Sequence, residues 1–231
     1  MMWTEKYRPQ SFADVVGQDE IVATIRGMIE RDHDIPNIRM IGEPGTGKTT
    51  VAYLIGKELL KEFFEMNFTE YNASNERGVD TIRDVIKSSM HQPMFTKVKL
   101  SLLDESNGLT PRPQNMLRKP LEDRGSTRFI LSANNDVFSK PIRSRCVVLE
   151  FGKVDSGAIR ERLEFIAESE GLALNGEIED IAGNCDGDLR FAINELQRVA
   201  SGGGKKMRSL EGDWVDGGDL LESIRNMEIE V

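Results

Sequence analysis

Residues 42–49 read Gly-Glu-Pro-Gly-Thr-Gly-Lys-Thr and match the pattern G-x-x-x-x-G-K-[ST] at every fixed position. Each fixed residue has its own physical task. The glycines let backbone N–H groups turn inward around a chain of phosphates, Lys48 reaches the outer phosphates, and the Thr49 hydroxyl suits a Mg²⁺ ion. Ile38, Met40 and Ile41 form a short apolar run before the loop, and Val51, Leu54, Ile55 and Leu59 repeat at helical spacing after it. The order is therefore strand, loop, helix, with the helix N-terminus adding its positive end to the loop. A plain Gly/Pro turn would not need the Lys-Thr pair. The expected nucleotide-binding residues here are Gly42, Glu43, Pro44, Gly45, Thr46, Gly47, Lys48, Thr49 and Thr50.

The same alternation of strand and helix continues along the chain. Strands are expected near 38–41, 68–72, 99–104, 128–133 and 147–151, and helices near 20–29, 48–63, 80–90, 114–119 and just before Arg145. Alternation of this kind implies an α/β fold with a mainly parallel sheet covered on both faces, and a ligand at the carboxyl ends of its strands. After Phe151 the strands stop. Ile159, Leu163 and Ile166 repeat at helical spacing behind Asp155, a candidate N-cap; a weaker helix lies near 177–182, and Leu189, Ala192, Ile193, Leu196 and Val199 mark a third. The expected organisation is an α/β nucleotide-binding domain over 1–151, a small all-helical lid over 152–200, and a Gly-rich linker with a short acidic tail over 201–231. Residues 219–227 are a candidate short helix.

Composition narrows the functions. A net charge of −9 argues against a broad basic surface for nucleic acid, although a local basic track remains open. The acidity fits either general solubility or adaptation to salt. No apolar run is long enough to span a bilayer, and the N-terminus shows no apolar signal core, so no membrane partner and a cytoplasmic location, nuclear in a eukaryote, are expected. Cys146 and Cys185 are isolated from each other and from any metal-ligand spacing, as reduced structural thiols are.

Leu100-Ser101-Leu102-Leu103-Asp104-Glu105 is a mostly apolar strand ending in two carboxylates. Paired with the P-loop, Asp104 is the expected second metal-side group and Glu105 the group that orients and deprotonates an attacking water. A Glu directly after the Asp favours ATP hydrolysis over a GTP switch. Asn134 follows another apolar strand and stands where it either touches the γ-phosphate and water or serves as a turn residue. Arg145, in Ser144-Arg145-Cys146, and Arg190, in Gly187-Asp188-Leu189-Arg190, are either solvated charges or cations for a transferred phosphoryl group.

Taken together these residues resemble the AAA+ ATPases, and more narrowly the replication factor C small-subunit family of sliding-clamp loaders. The resemblance runs from Trp3 to Val199. It is carried by Trp3-Thr4-Glu5-Lys6-Tyr7-Arg8-Pro9, Val16-Gly17-Gln18, Asn72-Ala73-Ser74-Asn75-Glu76-Arg77-Gly78, Asp104-Glu105, Leu131-Ser132-Ala133-Asn134, Ser144-Arg145-Cys146 and Gly187-Asp188-Leu189-Arg190. It implies that Tyr7, Arg8, Pro9, Val16 and Gly17 flank an adenine. It also implies that Asn134 is the sensor 1 residue, Arg190 the sensor 2 residue, and Arg145 an arginine finger acting in trans on a neighbouring subunit's nucleotide. The implied activity is Mg-dependent ATP hydrolysis, weak without partners, that opens a ring-shaped clamp and places it on primer–template DNA. The implied partners are the sliding clamp, other loader subunits including a collar-bearing large one, and the DNA. Its backbone would be gripped by Arg83, Lys87, Thr110 and Arg112, which otherwise read as solvated helix residues.

Four departures from the family stand out. Glu43 puts a carboxylate in the phosphate loop, and Asn75 replaces the usual Asp. Pro120 is expected to end or kink its helix near Lys119, because a mid-helix proline costs roughly 3 kcal/mol. The family's C-terminal helical collar has no counterpart, so a monomer or weak oligomer is the expectation for the chain alone. Two other readings stay open: a different AAA+ remodeller such as a Holliday-junction motor, or a non-hydrolysing nucleotide-binding assembly subunit.

Overall fold

A computed structural model of the chain describes residues 1–73, 78–123, 125–172, 176–202, 206–208 and 214–216. Its helices are α1 (Trp3–Lys6), α2 (Asp19–Asp32), α3 (Lys48–Leu60), α4 (Phe64–Asn67), α5 (Gly78–Ser89), α6 (Pro111–Glu122), α7 (Lys140–Arg143), α8 (Ser156–Ser169), α9 (Gly176–Asn184) and α10 (Leu189–Ala200). The strands are β1 (Ile38–Gly42), β2 (Phe68–Asn72), β3 (Lys99–Asp104), β4 (Thr127–Ala133), β5 (Val147–Phe151), β6 (Lys206–Arg208) and β7 (Trp214–Asp216). Two compact units result: Pro9–Gly152, and Met1–Arg8 together with the residues from Lys153 onward.

The first unit is a five-stranded sheet of order β2-β3-β4-β1-β5, parallel throughout. The near-continuous apolar runs of β3 and β4 exist because both faces of those strands are covered. Ile38, Met40, Leu100, Leu102 and Ile130 pack on one face against Ile25 and Ile29 of α2 and Val51, Leu54 and Ile55 of α3. Leu103, Phe129, Leu131 and Ala133 pack on the other against Ile82 and Val85 of α5, Leu117 and Leu121 of α6 and Ile142 of α7. Neighbours in sequence thus serve opposite faces, as the period of two requires. Asn37 ties the amino end together. Its side chain accepts from Phe129 N at 3.0 Å and donates to Leu121 O at 2.9 Å, and its carbonyl accepts from Val147 N at 2.9 Å.

Helix α6 departs from expectation. It spans Pro111–Glu122, not 114–119, and it does not end near Lys119. Pro111 and Pro113 occupy first-turn positions, where the missing N–H has no intrahelical partner to lose. Pro120 lies in the last turn, so it deletes one bond, and Asp123 N closes the end on Lys119 O at 3.0 Å. Helix α3 is shorter than the expected 48–63. It stops at Leu60, and a 3₁₀ turn over Lys61–Phe63 leads into α4.

The second unit is mainly helical. Asp155 caps α8 by accepting from Gly157 N at 2.8 Å, and Asp188 caps α10 by accepting from Phe191 N at 2.8 Å. Ile159, Leu163 and Ile166 of α8, Ile178 and Ile181 of α9, and Ala192, Ile193 and Leu196 of α10 are buried. The first eight residues belong to this unit and not to the α/β unit, in which the sequence boundary of 1–151 would place them. The cause lies in specific contacts. Trp3 N donates to Gln197 Oε1 at 2.8 Å, Lys6 Nζ and Tyr7 Oη each reach Glu170 Oε1 at 2.6 Å, and Arg162 Nη2 donates to Tyr7 O at 2.6 Å. Tyr7 also packs edge-on between Trp3 and Phe165. These partners lie more than 150 residues away in sequence, beyond any periodicity.

Lys206 pairs with Asp216 in a short antiparallel β6–β7 ladder, where the sequence suggests a linker and an unpaired tail. The candidate helix at 219–227 and the Asn75 departure lie outside the described residues. Among the described residues no helix is long and apolar enough to cross a membrane.

Candidate active site

The phosphate loop leaves β1 at Gly42, which pairs with Phe151 of β5. A Cβ on Gly42 would sit 2.3 Å from Phe151 O and 2.8 Å from Phe151 Cβ, so only glycine fits. Gly47, at φ +96°, opens α3 from a left-handed conformation that a side chain would strain. Lys48 is buried, and its ammonium lies back across the loop, donating to Gly42 O at 2.6 Å and Glu43 O at 2.7 Å. Thr46 Oγ1 donates to Glu43 O at 2.8 Å. Glu43 therefore serves the loop through its carbonyl, while the residue itself is exposed. Behind the loop, buried Gln18 donates to Gly152 O at 2.9 Å and Thr46 O at 3.4 Å. That bond brings the Val16-Gly17-Gln18 segment beside the P-loop.

The second motif meets the first directly. Thr49 Oγ1 donates to Asp104 Oδ2 at 2.9 Å, although the two are 55 residues apart. Ser132 Oγ, one strand over on β4, bonds Asp104 Oδ1. Glu105 takes φ +53°, a left-handed conformation costing a non-glycine residue roughly 1–2 kcal/mol. Its N–H is held by Asp104 Oδ1 at 3.0 Å and Ser132 Oγ at 3.3 Å, and Asn72 Nδ2 donates to its carboxylate at 3.2 Å. Asn134 stands exposed just past the end of β4, its N–H fixed by Asn107 Oδ1 at 2.6 Å.

A hydroxyl and a carboxylate side by side are hard oxygen donors of the kind Mg²⁺ accepts together with phosphate and water. Among the described residues no group of three or more His, Cys, Asp or Glu side chains could hold a metal alone. The Thr49–Asp104 oxygen pair fits a Mg²⁺ whose remaining ligands are phosphate and water.

Arg145 stands at the other end of the sheet. It precedes β5, and β5 reaches the phosphate loop only at Phe151, opposite Gly42. Six extended residues span about 20 Å, which is beyond an arginine side chain's reach. Its Nη2 pairs with Glu122 Oε2 at 2.9 Å, and its Nη1 donates to Pro141 O at 2.8 Å and Ser144 Oγ at 3.3 Å. Beside it, burial pushes the Cys146 thiol up to about 12. A doubly bonded Arg128–Asp34 pair, 2.9 and 2.7 Å, closes the same end.

In the helical unit Arg190 is exposed on the first turn of α10, next to its cap Asp188. A cation there opposes the helix dipole. Lys6 and Tyr7 share Glu170, whose carboxyl they hold below its ordinary range by hydrogen bonding. Arg8 pairs with Glu5 at 3.6 Å. Tyr7 and Arg8 belong to this unit, whereas Pro9, Val16 and Gly17 belong to the α/β unit.

Arg83 and Lys87 lie exposed on α5 in i,i+3 pairs with Asp80 at 2.7 Å and Asp84 at 3.6 Å. Thr110 precedes α6 without capping it through its side chain, and Arg112 is exposed in the first turn. Helices α5 and α6 adjoin, so the four residues occupy neighbouring elements. Sequence reasoning misses Asn107 and Glu122, and it quotes Asn72 and Ser132 within family segments without giving them a role. Each of the four is a polar side chain with a partner more than 20 residues away, and no short pattern states that pairing.

Residues 38–153, about half the chain, match the family described as "ATPase family associated with various cellular activities (AAA)". The replication factor C small subunit of Methanothermobacter thermautotrophicus is 40% identical over 207 residues, covering 88% of this chain and 64% of that protein. Those of Halobacterium salinarum and Archaeoglobus fulgidus are 39% and 40% identical, each covering 87% of this chain and 64% of their own length. The chain thus spans under two thirds of these relatives. Among solved structures, the Thermotoga maritima RuvB Holliday junction branch migration motor aligns with a TM-score of 0.71 at 21% identity, over 84% of this chain and 65% of that one. That likeness shows the fold alone.

Proposed function

The chain belongs to the AAA family of ATPases, and on that premise we propose that it binds and hydrolyses ATP as the small ATPase subunit of a sliding-clamp loader. The observation that carries the chemistry is the Thr49–Asp104 contact at 2.9 Å, which joins the phosphate loop to the strand-end carboxylates. The observation that carries the biological role is identity of about 40% over nearly nine tenths of the chain with replication factor C small subunits.

Backbone N–H groups of the loop and the N-terminus of α3 cradle the phosphates, and Lys48 turns from Gly42 O and Glu43 O to the β/γ-phosphates. Thr49 and Asp104 would hold a Mg²⁺, which when bound would neutralise charge on the phosphate oxygens. Glu105, set by Asn72 and Ser132, takes the proton of the attacking water. Asn134 orients that water or the γ-phosphate. Val16 and Gly17, beside the loop, flank the adenine with Tyr7, Arg8 and Pro9. Arg190 answers the subunit's own nucleotide, and an arginine set against a helix dipole has more to gain from a phosphate. Arg145, out of reach of its own loop, completes a neighbouring subunit's site in trans.

The clamp, a collar-bearing large subunit and primer–template DNA are the partners. Arg83, Lys87, Thr110 and Arg112 grip the DNA backbone. Exchange of the exposed Asp80 and Asp84 pairs for phosphates costs little, since such pairs are worth about 0–1 kcal/mol.

The test is steady-state ATPase with and without sliding clamp and primed DNA, for the parent and Lys48→Ala. The proposal expects weak turnover alone, stimulation by clamp plus primed DNA, and loss of ATP binding by calorimetry in Lys48→Ala. Stimulation by four-way junctions but not by primed DNA would replace the clamp-loading role. Unchanged Mg-ATP affinity in Lys48→Ala would remove the site itself.

A further inference from the structure

Glu122 is the last residue of α6, and Asp123 follows it. A carboxylate at a helix C-terminus opposes the dipole, so α6 alone would favour a cation there. The cation that meets it is Arg145, 23 residues further on, through Nη2 to Oε2 at 2.9 Å. Both line one open groove at the amino ends of β1, β4 and β5, with a volume of about 1110 Å³, together with Asn37, Arg128 and Val147. Pro141 O and Ser144 Oγ hold the opposite Nη1, and Nε is buried without a hydrogen-bond partner.

We propose that Glu122 is a positioning residue for Arg145, fixing the direction in which the guanidinium leaves the amino end of the sheet. This rests on the reading of Arg145 as a trans-acting finger. The geometry favours aiming over locking. Arg145 is largely covered, with 23% of its side chain exposed, whereas Glu122 is 68% exposed. An exposed carboxylate makes a weak pair, which orients the guanidinium without locking it. Its bond uses one of the two Nη2 protons, and the other remains to meet a phosphate oxygen. The Pro141 and Ser144 contacts hold one side of the guanidinium plane, and Glu122 fixes the other. The finger then keeps less rotamer freedom to lose when a neighbouring nucleotide arrives. Cys146, kept neutral by burial, adds no second anion beside the guanidinium.

The test uses the complex assembled with its partner subunits and clamp, with Glu122→Ala, Arg145→Ala and the double variant at saturating ATP. Glu122→Ala is expected to lower kcat by roughly two- to fivefold, the scale of losing an exposed ion pair, with the KM for ATP unchanged. In the Arg145→Ala background the same substitution is expected to change nothing further. In the isolated chain, ¹⁵N-arginine NMR is expected to show a protected Arg145 Nε–H that loses protection in Glu122→Ala, at the same melting temperature. A parental or raised kcat in Glu122→Ala overturns the proposal, as does an equal fall in both backgrounds. If Arg145→Ala lowers kcat and Glu122→Ala does not, only the positioning role fails. If Arg145→Ala itself keeps parental kcat, the finger reading fails and the positioning role with it.

Discussion

The two ends of one parallel sheet hold charge in different ways. At the carboxyl end, the loop 42–49 and the strand-end pair Asp104–Glu105 are each contiguous in sequence, and one hydroxyl–carboxylate contact joins them. At the amino end, charged groups are held by residues far away in the chain: Asp34 by Arg128, Glu122 by Arg145. The carboxyl end is a cradle for a phosphate chain. The amino end is a brace in which one largely covered arginine lines an open groove. Under the proposed trans role of Arg145, such a subunit would hold most of one nucleotide site and a fragment of the next, so ATP binding and hydrolysis should separate on mutation.

The largest effect that sharpens this contrast comes from Glu105→Gln. The phosphate ligands stay and the base is lost, so hydrolysis should fall by about 10²–10⁴ while ATP affinity holds, as single-turnover assays and calorimetry would show. Equal turnover would take Glu105 out of the chemistry.

Next comes Gly42→Ala. The new Cβ would have to displace Phe151 O from 2.3 Å, prising β1 from β5 where the loop begins. A loss of about 1–3 kcal/mol in denaturant unfolding is expected, with weakened ATP binding. Parental stability would mean that the two strands can part there without cost.

A smaller effect belongs to the brace. Asp34→Asn removes a charge from a pair whose side chains are 18% and 29% exposed. It should cost about 1 kcal/mol in unfolding and leave ATP binding untouched. A change in ATP affinity would blur the division between the ends.

The smallest concerns Cys146. Burial raises its folded thiol from an ordinary 9.0 to about 12. Its share of stability is therefore complete below pH 9 and is lost as pH rises from 9 toward 12, and Cys146→Ser should flatten that decline. At about pH 8 iodoacetamide should modify Cys146 far more slowly than a free thiol, since the thiolate is the reactive form. Modification at the free-thiol rate would contradict the burial.

Much of the carboxyl end is legible in the sequence, because its chemistry is written in short runs. The loop's fixed residues and the apolar strand ending in Asp104-Glu105 each announce a backbone shape and a charge together. The five strands are legible for a related reason: burial on both faces leaves runs such as Phe129-Ile130-Leu131. The rest depends on distance. Helix α6 reads too short because Pro120 looks like a breaker until it falls in the last turn, where it deletes one bond. The first eight residues read as part of the sheet domain because nothing in Trp3-Thr4-Glu5-Lys6-Tyr7 points to Glu170 and Gln197. The roles of Asn72, Ser132 and Glu122 go unread because each acts on a residue that only the fold brings near.

The division between the two ends is tested most directly by Arg145→Ala, measured twice: as the isolated chain and in the assembled loader. The account predicts parental ATP affinity and parental basal hydrolysis in the isolated chain, and a fall of about 10³-fold or more in the assembly, the scale of a trans-acting arginine. An equal fall in the isolated chain would mean that Arg145 serves its own nucleotide, and the separation of the two ends would be wrong.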